Sequence, residues 1–163
     1  MIDILAALAL ALAPTTAAAE APPAGGKSQD DGGIIGVPSD DAEMNAAIAR
    51  GRAGLQGFYR RLASPRAGDS EFMVKFDIDP TDGVEFVWAA DLDPSARPMT
   101  GTLLNQPIQA GGRRGDRVSI PEDAVIDWSY RVGRVTQGSF TNRVLLGRLP
   151  AADAASYREY LGW

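Results

Sequence analysis

Met44, Ile48, Gly51, Leu55, Phe58 and Leu62 recur at alternating spacings of four and three, the period of one helix face. They predict a helix of about five to six turns carrying one continuous apolar stripe. Asp40, followed three residues on by Glu43, supplies an acidic variant of the capping box at its start, and Pro65 ends it. Gly51, Gly54 and Gly57 cost about 1 kcal/mol each relative to alanine, so this helix is stable only when docked. Gly51 lies inside the stripe and suits the close approach of a strand or sheet.

From residue 70 the period falls to two. Phe72, Val74, Phe76 and Ile78 alternate with Glu71, Met73, Lys75 and Asp77, the signature of a half-buried strand. Pro80-Thr81-Asp82-Gly83 is a turn, after which Val84, Phe86, Trp88, Ala90 and Leu92 repeat the alternation. The two runs predict a hairpin with one buried side, leaving Met73 and Val87, with Thr102 further on, at exposed positions. Helix stripe against apolar sheet face is the natural pairing.

Three further short strands are predicted: Met99 to Asn105, Arg117 to Pro121, and Val125 to Tyr130, the last with Ile126, Trp128 and Tyr130 on one face. Gly111 to Asp116 is a loop, and Gly133-Arg134 a turn. Thr141 caps a short helical stretch through Leu145, Leu146 and Leu149, and Pro150 opens a last helix over Ala151 to Leu161. Helices and short strands with close turns give an α+β class: a long N-terminal helix packed on a bent antiparallel sheet or small SH3-like barrel, with a C-terminal helix.

Ahead of this domain the pattern changes character. Ile4 to Ala13 is a short apolar run broken by Pro14, and Ala17, Ala18 and Ala19 are the small residues of a signal-peptidase site. Residues 1–19 therefore read as a signal peptide cleaved near Ala19, with Asp3 and no basic residue before the run. A run this short does not span a bilayer, which needs about twenty apolar residues. Glu20 to Pro38, rich in Pro, Gly and small polar residues, reads as a flexible linker, although Ile34, Ile35 and Val37 are apolar enough to dock as an extended segment. Residues 39–163 form a single domain, and the expected location is periplasmic or secreted.

Composition narrows the chemistry. The chain has 163 residues, a formal charge of −5, no histidine and no cysteine. That removes Ser-His-Asp and Cys-His catalysis, the histidine general base, HExxH and thiolate zinc sites, and thiol redox chemistry. No metal site or cofactor is expected, and the acidic balance argues against nucleic acid as a partner. Lys27 and Lys75 are the only lysines, and Lys27 falls in the linker. Asp77, Asp79, Asp82 and Gly83 superficially suggest a calcium loop, but an EF-hand wants Gly and Glu where this chain has Asp82 and Trp88.

Two clusters remain. Arg113, Arg114 and Arg117 crowd a Gly-rich loop, and guanidinium forks suit a carboxylate, phosphate or polysaccharide anion. Asp127, next to Trp128 and close to Glu122 and Asp123, is the candidate for carboxylate chemistry, with Glu122 and Asp127 dividing acid and base roles. That alternative requires both in one cleft. The leading reading is a non-catalytic exported domain binding an envelope protein or polyanionic cell-wall component through Arg113, Arg114, Arg117 and the face bearing Asp127, Trp128 and Tyr130. An inhibitor or immunity-type protein is a third class.

The segments AEMNAAIARGRAGLQGFYRRLASP, EFMVKFDI, VEFVWAADL, MTGTLLNQP, GDRVSIPEDAVIDWSY and GSFTNRVLLGRLP together resemble the YegJ-like family of bacteria, catalogued as domain of unknown function 2314. The resemblance covers residues 42 to 160. It implies a small α+β domain, often behind a signal peptide, and supplies no activity and no catalytic residues.

Overall fold

The computed structural model describes residues 3–7, 34–79 and 84–163; the leader's cleavage positions, most of the linker and the turn at Pro80 to Gly83 lie outside them. In chain order the elements are β1 (Asp3–Ala7), β2 (Ile34–Pro38), α1 (Ala42–Ala63), β3 (Asp69–Asp77), β4 (Glu85–Asp93), β5 (Met99–Leu103), β6 (Arg117–Ile120), a 3-10 turn (Glu122–Ala124), β7 (Val125–Val132), β8 (Val135–Gly138), α2 (Phe140–Arg148) and α3 (Ala151–Leu161). The class is α+β, with helices at both ends of the domain.

Strands β3 to β8 form an open antiparallel sheet in the order β6-β5-β4-β3-β7-β8. Strand β1 pairs antiparallel with β2 and joins β4 in parallel at Leu5 and Ala6. Ile34, Ile35 and Val37 thus dock as an extended segment, and Asp3–Ala7, within the stretch read as a leader, is also a strand. Val135–Gly138 was not predicted, since four residues ending in glycine are too few to display an alternation.

The α1 cap sits one residue beyond the predicted Asp40: Asp41 accepts Met44 N–H at 2.9 Å, satisfying one of the helix's free first-turn donors. Arg148 at the end of α2 bonds Asp41 and Glu43, and holds the Asp41 carboxyl down at about 2. The predicted stripe is the buried face, with Met44, Gly51, Leu55 and Phe58 buried.

The faces of the hairpin differ from the sequence expectation. Val74 pairs with Ala89 and Phe76 with Val87, whereas Lys75 pairs with Trp88 and Asp77 with Phe86. Val87 is therefore a core residue at 0% exposure, and β4 is buried on both faces. The unbroken register of β3 against β4 puts Val87 on that face, and bulges change the faces further along. The register shifts between Ser70 and Met73 and between Ala90 and Asp93, where Glu71 and Asp91 adopt left-handed backbone conformations. An inserted residue reverses the alternation beyond it, so Leu92 packs with Val87 and Ala89. A third shift, where Phe76 pairs with Val125 while Lys75 pairs with Asp127, separates Ile126 from Trp128 and Tyr130.

The result is two cores. The larger gathers Leu55, Phe58, Val74, Phe76, Val87, Leu103 and Ile120; the smaller gathers Met44, Phe86, Ile126 and Leu145 across the sheet. Helix α1 serves both by crossing β7 at Gly51, where a Cβ would run into the Ile126 carbonyl oxygen.

Candidate functional site

Two polar constructions stand out, one buried and one exposed. The buried one lies on the face shared by Lys75 and Asp127, beneath the first turn of α2. Ser139, the α2 N-cap, makes no side-chain cap bond. Asp127 does that work from β7: its Oδ2 accepts both the backbone N–H and the hydroxyl of Thr141 at 2.8 Å, while Oδ1 accepts Trp128 N–H at 2.8 Å. A carboxylate at a helix start meets free N–H groups and the positive end of the helix dipole.

Lys75 completes the network, its Nζ donating to Thr141 Oγ1 at 3.4 Å and lying 5.8 Å from the Trp88 ring centre. Lys75, Asp127 and Thr141 are all 0% exposed. Burial pushes the Lys75 pKa down to about 8 against the pull of Asp127. Burial likewise raises Asp127, while the Thr141 and Trp128 donors and Lys75 pull it back. The arrangement joins β3, β7 and α2, and its groups are closed to a substrate.

The exposed construction is the connection from Leu104 to Asp116 between β5 and β6, longer than an ordinary hairpin loop. It is fastened along its length. Asn105 accepts Trp88 N–H at 2.8 Å. The buried carboxylate of Glu85 accepts the backbone N–H groups of Ile108, Gln109 and Ala110 in succession, an anion seated in a nest of amides. Gln106 donates to Gly112 O at 2.9 Å, and Asp116 accepts Arg113 N–H at 2.8 Å.

What this fixed loop presents is the Ile108 side chain, 56% exposed, with the exposed Arg113 and Arg114. Neither guanidinium has a carboxylate partner among the described residues. Arg117 is also exposed, but its donors go to neutral acceptors, Asp91 O and Thr100 Oγ1.

The sequence-predicted site residues fall into separate places. Arg113, Arg114 and Arg117 share one region. Asp127, Trp128 and Tyr130 lie on β7, with β3, β4 and β5 intervening before β6. Trp128 and Tyr130 are half-buried packing residues: Trp128 stacks on Phe58 at 5.5 Å and donates Nε1–H to Gly51 O at 2.9 Å, and Tyr130 stacks on Phe72 at 5.1 Å. Glu122 and Asp127 are not brought together either. Glu122 is exposed and accepts Gln56 Nε2–H at 3.0 Å, in a shallow groove with Arg52, Leu55, Asp123 and Val125 that excludes Asp127. Glu85 and Ile108 were missed by the sequence reading, although a glutamate heading the run Phe86-Val87-Trp88 was a signal, since a carboxylate there needs internal donors.

The family described as "Uncharacterized protein conserved in bacteria (DUF2314)" matches residues 41–163. A protein of Neisseria meningitidis serogroup B described as "Putative ankyrin repeat protein" is 26% identical over 136 residues, which cover 78% of this chain and 54% of that protein. The chain thus spans about half the length of that curated relative. No solved structure matches. No helix among the described residues is long and apolar enough to cross a membrane.

Proposed function

From the premise that the chain belongs to the DUF2314 family of bacterial proteins, which brings no activity with it, we propose that it is a non-catalytic binding domain. It engages an acidic surface of another envelope protein through the Leu104 to Asp116 loop. The observation carrying this reading is the pairing of a rigid backbone with unsatisfied side chains: Glu85 anchors three loop amides, while Arg113, Arg114 and Ile108 extend outward. A surface held in shape before binding loses less entropy on association, and an apolar anchor beside guanidiniums is the composition of a binding hot spot.

Ile108 also favours a protein over a polyanionic cell-wall polymer, which would use the arginines and leave the apolar side chain wet. Export follows from the apolar run and small-residue cleavage pattern of residues 1–19.

The test is affinity capture from envelope extract with wild-type and Arg113→Glu/Arg114→Glu chains, followed by titration of the purified captured protein. A parallel arm sediments the chain with purified cell-wall polymer. A protein partner whose affinity falls at least tenfold on charge reversal supports the proposal. Equal binding by both chains, or binding to the polymer alone, overturns it.

A further inference from the structure

Strand β6 is an edge: among the described residues it pairs with β5 alone. The bonds at its start define which backbone groups are free. Leu103 N–H donates to Asp116 O at 2.9 Å, and in the ladder Gly101 then lies opposite Val118 and Met99 opposite Ile120. Bonded and non-bonded pairs alternate in an antiparallel ladder, so Arg117 and Ser119 turn their N–H and C=O groups away from β5. Side chains alternate as well. Val118 and Ile120 pack with the larger core, whereas Arg117 and Ser119 are exposed on the opposite face. Just before the strand stand Arg113 and Arg114.

We infer that β6 is a strand-addition site for an extended partner segment in which acidic residues alternate with apolar ones. The inference rests on the binding role proposed for the arginine loop and specifies how the partner is held. The partner's main chain bonds the outward groups of Arg117 and Ser119. Its carboxylates lie on the face of Arg117, within the field of Arg113 and Arg114, and its apolar side chains continue the face of Val118 and Ile120. Charge selects this occupant: the chain carries −5 overall, yet the loop before this strand presents Arg113 and Arg114 with no carboxylate partner among the described residues, next to Arg117, which bonds neutral acceptors and has Asp93 within its field. Main-chain bonds supply affinity in such additions and alternate side chains supply specificity.

The probe is a fluorescein-labelled peptide of about eight residues alternating Val and Glu, with a Val and Lys peptide as control, followed by anisotropy. Ser119→Pro removes one outward N–H while leaving the β5 ladder and every arginine intact, a substitution edge strands tolerate. Two further peptides carry backbone N-methyl groups on one or the other set of alternate residues, so the wild-type chain tests the mode even if the proline variant fails to fold.

Wild-type binding of the Val and Glu peptide alone, a loss of about tenfold or more in Ser119→Pro, and sensitivity to one N-methyl set only support the inference. Absence of wild-type binding overturns it. Equal binding by Ser119→Pro and both N-methyl peptides, with loss in Arg113→Glu/Arg114→Glu, overturns strand addition while leaving the loop reading standing. The converse pattern sinks the loop reading and keeps the edge. A concentration-dependent dimer abolished by Ser119→Pro assigns the edge to a second copy and overturns the acidic partner.

Discussion

Asp127 and Thr141 are joined twice, the carboxylate on β7 accepting both the amide and the hydroxyl of the α2 first turn at 2.8 Å. A side chain from a strand thereby caps a helix whose own cap residue makes no such bond. Asp127→Ala strands two buried Thr141 donors and the positive helix end, and is expected to destabilise by about 2 to 4 kcal/mol. Thr141→Val keeps the amide bond and is expected to cost about half as much. Urea unfolding of both variants and the double variant measures this; additive losses would contradict a shared network.

Lys75 gives the protein an alkaline stability signature. Its folded pKa is lowered from 10.5 to about 8. Below both values the proton is held in either state and burial costs the fold the whole difference. Above pH 8 the folded protein releases it first, and stability rises until the unfolded value near 10.5 is passed. The expected gain is about 3 kcal/mol. Asp127, the Thr141 hydroxyl and the Trp88 ring lie against this group, so Lys75→Met isolates its part: denaturant midpoints between pH 7 and 10.5 should lose the rise.

Gly51 and Gly57 should respond oppositely to the same substitution. In an exposed helix interior, alanine for glycine stabilises by about 1 kcal/mol, and Gly57 has only the far end of Arg60 within reach of a new Cβ. Gly51→Ala drives its methyl into the Ile126 carbonyl and onto the Asp127 backbone, neither of which rotates aside. Thermal unfolding should rise for Gly57→Ala and fall for Gly51→Ala by an amount typical of overpacking, about 1 to 3 kcal/mol.

Glu85→Gln tests whether the loop is held by its anion nest. A neutral amide accepts from Ile108, Gln109 and Ala110 with one oxygen in place of two, so these amides should exchange hydrogen faster while the β3–β4 ladder keeps its protection. Affinity for any partner captured through Arg113 and Arg114 should fall with intact circular dichroism, since the arginines remain and only their positioning is lost.

The elements with long, regular patterns were legible in the chain. The spacing from Met44 to Leu62 gave α1 and its buried face, Gly51 was readable as a crossing point, and Pro150 marked the start of α3. The arginine loop was legible too, because glycine and charge between two strands leave few other structures. The absence of histidine and cysteine excluded whole classes of catalysis without any geometry.

Pairing was not legible. Which face Val87 occupies depends on the register of β4 against β3, and the faces of Leu92, Ile126 and Trp128 depend on bulges; a register or a bulge is an agreement between two strands that neither encodes alone. Nor did the spacing of Glu122 and Asp127 tell that one would be wet and the other sealed under α2, or that Glu85 would cross to the loop at Ile108. Local periodicity needs only the chain's own geometry; burial, capping across elements and pKa displacement arise where distant segments exclude water from each other, and tertiary structure alone decides that.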